Sequence, residues 1–79
     1  MQKLANFGKY RELLAMTKKK LTSEPENDEA RVYQAIALYG LKQFDEAREV
    51  AEYLFAHAPL HNSEALDLMN AIDRARAEA

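Results

Sequence analysis

Cysteine is absent from this chain of 79 residues, which removes a disulfide framework, a thiolate metal site and a cysteine nucleophile. Glycine and proline occur only twice each. With so few chain breakers, and with abundant Ala, Leu, Glu, Lys and Arg, helix is favoured throughout. No apolar run approaches the ~18 residues of a membrane span, and the opening MQKLANFGKY lacks a signal peptide's apolar core. No membrane insertion is expected, and the cytoplasm is the expected compartment. Net charge is also scarce: a formal −2 gives no field that would draw in nucleic acid or an anionic membrane. Disorder is excluded in turn, because 48% of the residues are apolar and 30% are charged. The length allows a single domain.

What is present centres on Ala30 to Pro59, which reads as two helices joined by a short turn. The first, roughly Asp28 to Leu41, is apolar almost all the way round, and such a helix must be covered on several sides. The second is amphipathic: Phe44, Ala47, Val50, Ala51, Leu54 and Phe55 recur at three- and four-residue steps. Before this pair, Lys9 to about Thr22 carries a stripe of Tyr10, Leu13, Leu14, Thr17 and Leu21, and Pro25 breaks the chain after it. Asn27 or Asp28 can cap the central helix. Pro59 closes its successor, Leu60 to Ser63 reads as a linker, and a last helix runs from about Ser63 to Ala77. MQKLAN has the length of a single helical turn, and Asn6-Phe7-Gly8 reads as a break or a helix entry.

Shifting the chain on itself by 34 residues superposes Leu4 on Leu38, Tyr10 on Phe44, Glu12 on Glu46, Leu21 on Phe55 and Pro25 on Pro59. A helical hairpin at that period is the mark of a stacked solenoid. The run from Ala37 to Ala47, ALYGLKQFDEA, followed by Pro59, resembles the tetratricopeptide repeat. Ala35, Leu38, Phe44, Ala47 and Pro59 fall on that repeat's small, large, aromatic, alanine and proline positions, and Gly8, Tyr10 and Pro25 on the tail of an earlier one. Arg31 and Gln34 depart from it, standing where the family usually has large apolar residues. The resemblance implies an all-α helical-hairpin solenoid of three main helices with a short N-terminal turn. Residues 1–27 would be a partial repeat, 28–61 a full repeat and 62–79 a terminal capping helix.

Chemistry-bearing patterns are few. His57 and His61 are four apart, but Pro59 between them breaks the helix that would align a metal pair. Glu46, Glu49, Glu52, Asp67 and Asp73 lie on polar faces near Arg48, Arg74 and Arg76, where nothing would shift a carboxylate toward catalysis. No Gly-rich phosphate loop is present, and no Ser has a plausible His partner. Lys18-Lys19-Lys20, near Lys9 and Arg11, has no interleaved aromatics for stacking on bases, so it is assigned to opposing the helix dipole. No enzyme activity, cofactor, metal or nucleic acid is expected.

The resemblance implies instead a protein-interaction module, its groove lined by Glu29, Val32, Ile36 and Tyr39 on one helix and Leu66, Asn70 and Asp73 on the next. An apolar floor of Val32, Ile36, Tyr39 and Leu66 with a polar rim suits a helix or apolar peptide segment from a partner. The alternative is self-association, with Tyr33 and Ala37 left bare where an opening helix belongs and covered by a second copy as a homodimer. In either case Ala35 and Ala47 must let two helices approach to ~8–10 Å. Replacing Ala47 by Leu is therefore expected to cost about 1–3 kcal/mol in a melting experiment, and no loss would contradict the pairing.

Overall fold

A computed structural model describes residues 9–78. The turn expected at MQKLAN, the break at Asn6–Gly8 and the place of Gly8 in an earlier repeat lie outside them. The described chain forms α1 (Tyr10–Ser23), α2 (Asp28–Gly40), α3 (Phe44–His57), a 3₁₀ turn (Pro59–His61) and α4 (Asn62–Glu78). There are thus four helices among the described residues, not three. Residues 10–23 are a complete 14-residue helix with its own buried side chains, Leu13 and Thr17. The 34-residue period is visible in the backbone: α1 and α3 start at 10 and 44 and end at 23 and 57, while α2 and α4 start at 28 and 62.

Each boundary has a local cause. Beyond α1, Lys20 and Glu24 pair at 2.6 Å, and the hydrogen bond and positive charge of Lys20 hold the Glu24 carboxyl below its usual pKa. The Asn27 side chain caps α2 by accepting from the Ala30 N–H at 3.0 Å. At the other end of α2 the Lys42 N–H donates to Tyr39 O at 3.0 Å and the Gln43 N–H to Leu38 O at 2.9 Å. This double bond pattern is the Schellman cap, and it puts Lys42 at φ 63°, a conformation glycine would adopt at lower cost. Pro59 ends α3 and opens the 3₁₀ turn, which runs straight into α4 at Asn62. The expected linker Leu60–Ser63 is therefore helical turn rather than loop. The Asn62 side-chain amide faces the carbonyls of Phe55 in α3 and Ala58 at its C-cap, at 3.0 and 3.3 Å, and satisfies both in the orientation that turns its nitrogen inward.

The helices pack in chain order, α1 on α2, α2 on α3 and α3 on α4, with α4 also touching α2. The resulting slab measures 36 × 27 × 18 Å, so its thinnest dimension holds about two helix layers. Among the described residues, seven of the twelve buried apolar ones are alanines: Ala30, Ala35, Ala37, Ala47, Ala51, Ala58 and Ala65. Two clusters form where three helices meet. Val32, Leu54, Ala58 and Ala65 make one, with Ile36 and Val50 against it. Leu38, Ala47 and Ile72 make the other, flanked by Leu14, Tyr39, Phe44 and Val50. The buried Thr17 hydroxyl donates to Leu14 O at 2.9 Å within its own helix. Arg31, which departs from the apolar pattern, sits over the Tyr53 ring at 4.7 Å and so still serves the α2–α3 contact.

At Gly40 α2 meets the Tyr10 ring of α1, and a Cβ placed there would lie far inside van der Waals contact with that ring. The glycine is needed for proximity, while the left-handed turn position two residues later falls to Lys42. Gly→Ala inside a helix ordinarily stabilises by about 0.5–1 kcal/mol. Here Gly40→Ala is expected to destabilise by about 1–3 kcal/mol on chemical denaturation, because the rigid ring must move. In a Tyr10→Ala background the same substitution is expected to lose that penalty.

Candidate protein-interaction surface

The seven residues expected to line one groove are divided by the fold. Glu29 is exposed in the first turn of α2. Val32 is only 6% exposed, beneath Leu54, Ala58 and Ala65, so it belongs to the core rather than to an open floor. Ile36 packs half-buried against the same cluster. Tyr39 packs on the Leu38–Ala47–Ile72 cluster, its ring 5.8 Å from that of Phe44 at an interplanar angle of 54°. Small Ala58 and Ala65 let α3 and α4 close over this part of α2, and the expectation of an exposed apolar strip is corrected accordingly. Ala37, expected to be bare, is fully buried, and Tyr33 is half-buried. Ala37 lies one turn before Gly40 on the face that meets Tyr10, so α1 itself supplies the cover assigned to a second copy.

Leu66, Asn70 and Asp73 share a different face, turned toward α3. Arg48 of α3 donates to Asp73 across the helix pair and to Glu52 at 2.9 Å along its own helix. The hydrogen bond to Asp73 raises the Arg48 pKa above its ordinary value. Arg76 and Asp45 pair at 3.3 Å one turn further along. These pairs, with Asn62 against the Phe55 carbonyl, set an antiparallel register between α3 and α4. Two helical turns from Arg48 stands Phe55, and two turns back from Asp73 stands Leu66, so the register brings them side by side. They are 45% and 46% exposed, and Leu60 in the adjoining 3₁₀ turn is 93% exposed. The α3–α4 hairpin thus ends in an apolar ridge of Phe55, Leu60 and Leu66, continued by a charged ladder.

Phe55 reads from sequence as core because it recurs with the apolar positions of its helix. A finer signal was available. Ala47, Ala51, Leu54 and Ala58 already complete a stripe at helical spacing, and Phe55 lies to one side of it, as Leu66 lies off the Ala65–Ile72 face.

His57 stacks on Tyr53, ring centroids 4.6 Å apart, and His61 Nδ1 lies 3.3 Å from Glu64 Oε1, so the two histidines have separate partners. Among the described residues no three His, Asp or Glu side chains gather as a metal site, and no helix is long and apolar enough to cross a membrane. Comparisons with protein families, with curated proteins and with solved structures find no match for this chain.

The two apolar surfaces differ in what they support, and stability measurements separate them. Ile36→Glu is expected to cost about 2 kcal/mol or more, since it drives a charge into a packed cluster. Leu66→Ser is expected to cost less than about 1 kcal/mol. Equal melting temperatures for the two variants would contradict this division into core and ridge.

Proposed function

We propose that this chain is a non-enzymatic protein-interaction module of tetratricopeptide-like, stacked-hairpin design, acting as an adaptor that buries an apolar segment of a partner. The observation that carries the reading is the exposure of Phe55, Leu60 and Leu66, three large apolar side chains that fall where α3 passes through the 3₁₀ turn into α4. Scattered exposed hydrophobics are ordinary, whereas neighbouring ones rimmed by polar groups mark contact surfaces. Glu52, Asn62, Ser63 and Asn70 supply such a rim at helical spacing from the ridge. Full burial of a large apolar side chain contributes ~1.5–3 kcal/mol, so three of them suffice for micromolar binding after ordering costs. The reading keeps the partner class implied by the repeat resemblance and moves the docking surface from α2 to the α3–α4 end. The repeat period of the helix boundaries and the chain-order packing support the stacked-hairpin part of the proposal.

Site-specific photo-cross-linking tests the surface. A benzophenone side chain is placed at position 55 or, as a control, at exposed position 29, in the cells that produce the protein. The expected result is a discrete protein adduct from position 55 and none from position 29. Adducts from position 29 alone would return the interaction to α2 and remove the proposal.

A further inference from the structure

The 34-residue step that carries α1 onto α3 and α2 onto α4 also pairs single positions: Leu66 with Val32, Phe55 with Leu21, and Met16 with Val50. Members of a pair have unequal cover. Val32 is buried because the following helix, α3, lies against it through Leu54 and Ala58, whereas Leu66 stays half exposed on α4. Leu21 is half-buried and its counterpart Phe55 is exposed. Val50 packs against both core clusters, while its counterpart Met16 is 46% exposed on the outer side of α1. The Leu66 position, bared on α4, is therefore one that an α3-like helix covers a repeat earlier, at Val32. Met16 is bared where α3 makes its own core contact. Within the described chain the α3-like helix still lacking that contact is α1.

Charge is divided in the same direction. The stretch from Lys9 to Ser23 holds five cations (Lys9, Arg11, Lys18, Lys19 and Lys20) against a single acid, Glu12. Residues 44–78 hold eight carboxylates against three arginines. Lys18 and Lys19 have no acidic partner among the described residues, and Glu49 and Asp67 have no basic one. A shallow depression beside α1, lined by Met16, Lys19, Lys20, Ser23 and Glu24, has an apolar centre at Met16; Glu24 pairs with Lys20 there and leaves Lys19, among the described residues, as the unpaired cation of its rim.

We infer that the occupant of the Phe55–Leu66 ridge is α1 of a second copy, docked as α3 docks on α2, so that copies join head to tail. The inference rests on the ridge being the docking surface and names its partner. Such a contact uses two different faces, so it propagates beyond a dimer unless the rotation closes a ring. With one helix meeting a hairpin edge, the contact falls below the ~1,200 Å² of stable interfaces, so association is reversible and weakened by salt.

Sedimentation of the full chain over about 10–500 μM, at about 50 mM and 500 mM salt, tests it. The expected result is a mass that rises with concentration and falls with salt. Two variants, Phe55→Ser with Leu66→Ser and Lys18→Glu with Lys19→Glu, are each expected to weaken self-association about tenfold or more. Because each keeps the face the other lacks, an equimolar mixture is expected to form one-to-one dimers and nothing larger. Circular dichroism checks that both remain helical, and Leu66→Ser alone replaces the first variant if it melts early. A wild-type chain that stays monomeric throughout, or a mixture that stays monomeric while the wild type associates, overturns the inference. A position-55 adduct to a different polypeptide would overturn it too and leave the ridge as a docking surface, whereas no adduct from position 55 would remove both.

Discussion

Two helices approach no nearer than their interfacial side chains permit, and in this chain alanine sets that limit. Ala30, Ala35 and Ala37 lie on α2, Ala47, Ala51 and Ala58 on or just beyond α3, and Ala65 on α4, all essentially inaccessible to solvent. Gly40 beneath the Tyr10 ring carries the same principle to its extreme. A core of this kind buries little apolar area per residue, since among the described residues only Leu13, Leu54 and Ile72 are large apolar side chains hidden completely. At ~1.5–3 kcal/mol each, those three cannot hold a chain of this length against its conformational entropy. The remainder comes from Val32, Leu38 and the half-buried Leu14, Ile36, Tyr39, Phe44 and Val50 around them, and from dispersion between closely apposed helices, which falls off within an ångström of added separation. Small residues are thus what makes so thin a core sufficient.

The same constraint explains why α2 occupies the middle. A helix with small residues on several faces can be approached from several directions, and α2 meets α1, α3 and α4. Neither α1 nor α4 is built that way. The outer side of α1 is lysine-rich around Met16, and α4 keeps polar side chains everywhere except toward α2 and α3 and at Leu66. Stacked helices form a series with two ends, and the chemistry of the ends differs from that of the middle. Here one end is cationic and the other is acidic with an apolar ridge.

Most of the architecture was legible in the residue pattern because it depends on short-range signals. The cap at Asn27, the breaks at Pro25 and Pro59, and the apolar stripes all act within a helical turn or two, and the structure keeps them. The 34-residue period predicted which helices would be alike. Side-chain exposure was harder to read, because it depends on which neighbour comes to rest over a given face. Val32 and Ile36 look open if α4 merely lies beside α2, and they are covered because Ala58 and Ala65 let α3 and α4 settle upon them. Ala37 looks bare if α1 is discounted, and it is buried one turn before Gly40, where the Tyr10 ring of α1 meets α2. Phe55 and Leu66 went unnoticed as a pair because their meeting depends on the α3–α4 register, fixed by the distant Arg48–Asp73 and Asp45–Arg76 contacts.

The central claim is that helices packed in chain order enclose an alanine-lined α2, and nuclear Overhauser spectroscopy on the methyl- and aromatic-labelled protein addresses it most directly. Cross-peaks are expected from the Tyr10 ring to the Gly40 α-protons, from the Ala47 methyl to Leu38 and Ile72, and from the Ala65 methyl to Val32. The Gly40 α-protons are expected to be displaced from random-coil shifts by the ring current of Tyr10. A spectrum with α-helical backbone shifts but without these contacts would contradict the account, leaving helices that form without packing as described.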